Sequence, residues 1–110
     1  MSGRMSRNKG ARGELEVIDL LHAHGWTHSH RNFDSGSAGG GDIARGPAGV
    51  ALEVKRTERF ALREAWAQAV EDADARGDLP VVAHRWNGGP WLAVLPLEEL
   101  LALLALRETA

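Results

Sequence analysis

Residues 41–55 decide the fold: Gly41-Asp42-Ile43-Ala44-Arg45, then Gly46-Pro47-Ala48-Gly49, then Val50-Ala51-Leu52-Glu53-Val54-Lys55. Gly-Pro-Ala-Gly is turn chemistry, so the spacing predicts a hairpin that joins a short strand, Asp42 to Arg45, to a longer one, Val50 to Lys55. The second strand alternates with period two. Leu52 and Val54 therefore face one side of a sheet, and Glu53 and Lys55 point together to the other. The hairpin carries Asp42, which follows a glycine- and serine-rich loop over Asn32 to Gly41, towards Glu53. Two carboxylates and one amine then meet at the end of a sheet. Two acidic oxygens plus waters are the hard-oxygen set preferred by Mg²⁺ or Mn²⁺, and a lysine beside them offsets charge building on a phosphate. Salt bridges on a surface hairpin would produce the same string, so the spacing alone leaves both readings open.

Working outward, Leu15, Val17, Ile18, Leu20 and Leu21 recur at helical spacing over Gly13 to His24, and Gly25 supplies the stop. Trp26 to Arg31 reads as a strand. Phe60 to Arg76 reads as a long helix stopped by Gly77. Pro80 to Trp86 and Pro90 to Leu95 are strands joined by the tight turn Asn87-Gly88-Gly89, and Leu97 to Arg107 is a final helix. The order α-β-β-β-α-β-β-α predicts an α/β fold, a mixed five-stranded sheet flanked by helices. The chain has 110 residues, 44% hydrophobic and 25% charged, with no internal repeat, which fits a single domain over 1–110. Residues 1–8 are expected to form a basic, flexible arm.

The formal net charge of −2 hides a division. Residues 1–63 hold ten Lys/Arg against seven Asp/Glu, whereas residues 64–110 hold three against eight. A basic half of this kind suits phosphate neutralisation, with the acidic half turned away. Eleven of the basic residues are arginines, and the two lysines are Lys9 and Lys55. Lysine is a compact point charge whose pKa moves on burial, so its choice at Lys55 is meaningful. The absence of cysteine excludes a disulfide framework, thiol catalysis and a thiolate zinc site. The longest apolar run, Leu100 to Leu106, is far short of the ~18–20 residues that span a bilayer. With a basic N-terminus lacking an apolar core, the expectation is a cytoplasmic protein with no membrane partner. His22 and His24 do not share a helix face, and His28 and His30 lack a third ligand, so the histidines are read as structural. Trp26 and Trp66 are expected in the core.

Gly41-Asp42-Ile43 followed by Glu53-Val54-Lys55 resembles the PD-(D/E)XK nuclease signature, with glycine in the proline position. The helix opening Lys9-Gly10-Ala11-Arg12-Gly13-Glu14-Leu15-Glu16, the pair Gly25-Trp26, Arg31, Gly36-Ser37 and Pro80-Val81-Val82-Ala83 resemble archaeal-type Holliday junction resolvases, over roughly residues 7–106. The resemblance implies a restriction-endonuclease-like αβββαβ core. It makes Glu14, Asp42 and Glu53 the acidic metal site and Lys55 the lysine near the attacked phosphate. Ser37, or its neighbour Ser35, would position the DNA strand. Arg31 would contact phosphate, and Gln68 on the long helix would face the site. Where the family often carries an arginine after the first-helix glutamate this chain has Leu15, leaving Arg12 or Arg7 to supply that charge alongside Lys9.

The function so implied is resolution of four-way DNA junctions by paired, Mg²⁺-dependent nicks (Mn²⁺ substituting) that leave 5′-phosphate and 3′-hydroxyl ends. No small-molecule substrate is expected. The alternatives are an endonuclease of the same fold for restriction or repair substrates, and a catalytically silent DNA-binding module. The final helix is apolar almost all round, which predicts a subunit contact and a homodimer, matching the two-fold symmetry of a junction.

Overall fold

A computed structural model describes residues 3–33 and 41–109, with residues 3–8 described by their backbone alone. The elements are α1 (Gly3–Ala23), β1 (His30–Arg31), β2 (Ile43–Ala44), β3 (Val50–Arg56), α2 (Leu62–Asp74), β4 (Leu79–Arg85), β5 (Leu92–Val94) and α3 (Leu97–Thr109). Their order is the one the sequence predicts. α1 starts at Gly3 rather than Gly13, so its backbone runs through most of the stretch expected as an arm.

The strands divide into a three-stranded sheet, β3-β4-β5, and a two-stranded one, β1-β2, rather than forming one five-stranded sheet. β3 and β4 are parallel, with Glu53 opposite Val82 and Val54 opposite Ala83. A parallel pair needs a crossover, and α2 provides it. β4 and β5 form the antiparallel hairpin expected around Asn87-Gly88-Gly89.

The expected hairpin between β2 and β3 does not form. β2 pairs with β1 instead, and the chain touches β3 through a parallel bridge between Gly41 and Leu52. Asp42 explains the difference. Its N–H donates to the Leu52 carbonyl at 2.7 Å, and its Oδ2 accepts the Val54 N–H at 2.7 Å. A side-chain carboxylate thus takes the position on β3 that a strand carbonyl would have filled, and β2 diverges from there.

The sheet is covered on both faces. On one, Val17, Ile18 and Leu21 of α1 pack with Ile43, Val54 and Ala83, joined by Leu52 and Trp91. Leu15 and Leu20, part of the same apolar spacing, lie on the outer side and are exposed. On the other face Ala65 and Ala69 of α2 pack with Val82, joined by Phe60, Trp66 and Val94. Ala65, Ala69 and Ala73 recur every fourth residue, which places three small side chains on one stripe and lets α2 lie close to the sheet. Trp66 meets its core expectation, whereas Trp26 is 40% exposed. α3 buries none of its residues, and its leucines are exposed along its length. No helix among the described residues is long and apolar enough to cross a membrane.

Candidate active site

Glu53 and Lys55 project from the α2 face of β3, as period two requires. Val54 between them belongs to the α1 face. Asp42 is delivered to the same place by Gly41. Gly41 has φ +76, and a Cβ there would lie 2.5 Å from the Leu52 carbonyl oxygen. That contact, in the left-handed region, is closed to the proline of the usual motif, which accounts for glycine at this position. Gly13 plays a comparable part on α1. A Cβ there would meet the Arg56 Cβ at 2.8 Å, so glycine lets the helix approach the end of β3.

The electrostatics are those of crowded carboxyls. Glu53 is 4% exposed. Burial first, then contact with the Asp72 carboxyl on α2 and the charge of Asp42, push its carboxyl up to about 9, against the pull of Lys55. Asp42 is raised by burial as well, an effect opposed by the Val54 N–H, by Glu53 and by Lys55. The Glu53 Oε2 is buried with no hydrogen-bond partner among the described residues. A buried carboxyl oxygen without a partner, flanked by two further carboxyls and a lysine, fits a divalent cation better than it fits a structural salt bridge. Asp42 and Glu53 are the residues that would hold such an ion. Among the described residues no three His, Cys, Asp or Glu side chains already stand close enough to enclose one.

The other expected site residues fall in three places. Glu14 is committed to Arg31, whose Nε donates to its Oε1 at 2.7 Å. The Arg31 guanidinium also lies over the Phe33 ring, 5.2 Å from its centre. Lys9 pairs with Glu58 at 3.4 Å, and Arg12 is exposed on α1. Gln68 is exposed on α2 and lines a cleft of about 240 Å³ together with Lys55, Thr57, Arg59 and Glu64. Ser35, Ser37 and the Arg7 side chain lie outside the described residues. His84 proves structural: it is 4% exposed, its Nε2 lies 3.0 Å from the Thr57 carbonyl and its ring stacks on Phe60 with centres 4.0 Å apart.

Two residues of the site were missed in the sequence. Arg59 brings an exposed guanidinium to the cleft beside Lys55. Its only sequence signal is its position four residues after Lys55, just beyond the strand. Asp72, half-buried on α2, helps to raise the Glu53 carboxyl. Its signal was the residue following it, Ala73, which closes the alanine stripe that faces the sheet.

Comparison with known proteins agrees with this architecture. The chain is similar over 79% of its length to a solved structure of Archaeoglobus fulgidus Hjc, a Holliday junction resolvase from an archaeal hyperthermophile, covering 72% of that chain at 25% sequence identity with a TM-score of 0.59. No curated protein matches the sequence. The model of the family described as "Phage putative PDDEXK endonuclease" matches residues 5–109. Nucleases of the PD-(D/E)XK superfamily generally use divalent metal ions, consistent with the crowded carboxyls around Glu53. With nearly the whole chain matched, from within α1 to the end of α3, this protein belongs to the phage PDDEXK endonuclease family.

Proposed function

We propose that this nuclease is a Holliday junction resolvase, a metal-dependent, structure-selective endonuclease that makes paired nicks in four-way DNA junctions as a homodimer. The observation that carries the reading is the meeting of Asp42, Glu53 and Lys55 at the end of β3. There the Asp42 carboxylate is fixed by the Val54 N–H at 2.7 Å. Likeness to the archaeal resolvase supplies the substrate class.

In this reading Asp42 and Glu53 hold Mg²⁺, for which Mn²⁺ substitutes, and Glu14 is carried as a further acidic residue on the resemblance alone. The ion supplies charge stabilisation for the attacking and leaving oxygens of an in-line phosphodiester hydrolysis. Lys55 faces the attacked phosphate and offsets its developing charge. Holding Glu53 and Lys55 two residues apart on one strand keeps their separation constant better than a loop would. Arg59 and Gln68, on the cleft that opens from Lys55, receive the DNA backbone. Arg7, Lys9, Arg12 and Arg31 extend the phosphate contacts along α1 and β1, and Ser37 positions the strand. Selectivity comes from junction shape, since phosphate contacts fix register without reading bases. The exposed leucines of α3 form the subunit contact, and residues 1–110 act as one domain.

The test is cleavage of a labelled four-way junction beside a linear duplex of the same sequence, in Mg²⁺ and in chelator. Paired, Mg²⁺-dependent nicks confined to the junction are expected. Equal cutting of the duplex would replace the resolvase with a restriction- or repair-type endonuclease. Tight junction binding without cutting would leave a silent binding module.

A further inference from the structure

Beyond Lys55, the end of β3 carries a second polar cluster, on the α1 side of the sheet. Arg56 follows Lys55 and, by period two, faces the side of Val54. Gly13 lets α1 close over it, since a Cβ there would meet the Arg56 Cβ at 2.8 Å. The Arg56 side chain is left 11% exposed. Its Nη2 donates to the Asn87 Oδ1 at 2.6 Å. Its Nη1 is buried with no hydrogen-bond partner among the described residues, and the Glu58 Oε1 stands 3.8 Å from it, beyond hydrogen-bond reach. A guanidinium is a fork of donors that matches a carboxylate or a phosphate with two bonds at once. Here one tine meets a neutral amide and the other is unsatisfied.

Glu58 sits in the middle of this cluster. The Asn87 N–H donates to its Oε1 and Oε2 at 2.9 and 3.1 Å, and the Lys9 Nζ on α1 lies 3.4 Å from Oε1. A backbone N–H, an ammonium and a guanidinium converging on one carboxylate are the donor set of an oxyanion site. The carboxylate itself is loosely held. The Glu58 side chain is 47% exposed, and ion pairs so open to water contribute little. Arg12, three residues after Lys9 and on the same side of α1, is exposed and extends the positive charge.

We propose that the Glu58 carboxylate occupies the seat of a DNA backbone phosphate, which displaces it and bonds Arg56, Lys9 and the Asn87 N–H in its place. This rests on reading the chain as a nuclease that receives DNA over the end of β3. A strand crossing that end meets Lys55 on the α2 side and this seat on the α1 side, one residue apart along β3. Glu58 is then an internal competitor. It compensates the buried Arg56 in the free protein and weakens DNA binding by the cost of its own displacement.

The experiment is anisotropy of a labelled four-way junction, and of a linear duplex of the same sequence, titrated with the full-length protein in chelator at several salt concentrations. Glu58→Gln removes the charge and keeps an oxygen for the Asn87 N–H. It is expected to tighten binding roughly two- to fivefold. It should also steepen the dependence of log K on log salt by up to about 1, because the parent's freed carboxylate takes up a cation that the variant does not. Arg56→Gln should weaken binding and make that slope shallower by about 1. The gain from Glu58→Gln should vanish in the Arg56→Gln background. A gain that persists there reports bulk charge and overturns the proposal. Unchanged or weaker binding in Glu58→Gln also overturns it, and makes Glu58 a brace for the β4–β5 turn. Should Arg56→Gln not fold, Lys9→Gln takes its place in the double variant. The two DNA substrates separate this seat from the underlying reading. Equal binding of both, tightened by Glu58→Gln, keeps the seat and removes the resolvase. Junction-selective binding that Glu58→Gln leaves unchanged keeps the resolvase and removes the seat, and no binding to either removes both.

Discussion

β3 presents two unlike faces from one run of seven residues. Towards α1 it offers Leu52 and Val54 to a dry cluster of Val17, Ile18, Leu21, Ile43 and Ala83. Towards α2 it offers Glu53 and Lys55 to a layer that begins apolar, at Ala65, Ala69 and Val82, and turns acidic at Asp42 and Asp72. The first face supplies hydrophobic free energy. The second gives some of it up, because burying carboxyls beside one another is unfavourable until a cation is bound. The apolar face and the proposed site are thus separated by one residue of pleat.

The largest effect is expected from Glu53→Gln. It removes a proposed metal ligand and should lower cleavage by about a thousandfold or more, some 4 kcal/mol of transition-state stabilisation. Junction binding should be kept or tightened, as read by gel shift. Full activity would erase the distinction between the faces. Val54→Ala, one residue along, should do the reverse. It should cost about 2 kcal/mol in denaturant unfolding and leave Mn²⁺ affinity unchanged, and a large fall in affinity would show that the faces are coupled.

A more gradual effect is expected from pH. The Glu53 carboxyl is raised from 4.5 to about 9 in the folded protein, so the native state holds a proton that the unfolded chain has released. Stability from this group is complete below about pH 4.5 and is lost as pH rises through about 9. In chelator the melting temperature should therefore fall between those limits, with a slope of at most about 1.4 kcal/mol per pH unit. Glu53→Gln should remove much of that slope, and a melting temperature that rose with pH would contradict the buried carboxyls. The smallest effect on folding belongs to Leu101→Glu on α3, where Leu101 is 54% exposed. Chain stability should hardly change, while sedimentation should report a monomer in place of a dimer. A dimer that survives this change would move the subunit contact away from α3.

Much of this was legible in the sequence. Period two in Leu52-Glu53-Val54-Lys55 separates the faces of β3, the order of elements is fully readable, and glycine before Asp42 marks a close backbone approach. The β2–β3 hairpin was misread because a side chain, the Asp42 carboxylate, replaced a backbone carbonyl on β3, and no turn or alternation pattern signals such a substitution. Glu14 was drawn from the family resemblance, and its pairing with Arg31, seventeen residues away, is a packing outcome that no spacing signals. Asp72 was invisible for a related reason. The stripe Ala65, Ala69, Ala73 shows which face of α2 is buried, and only the packing of α2 on β3 and β4 decides which neighbour of that stripe meets Glu53.

The central claim is that the polar face of β3 is a metal site. It is tested most directly by anomalous scattering from crystals soaked in Mn²⁺. The account predicts a peak within bonding distance of Asp42 and Glu53, about 2.0–2.6 Å from their oxygens, on the α2 side of the sheet. A peak elsewhere, or none while the same crystals keep Asp42 and Glu53 in contact, would contradict it.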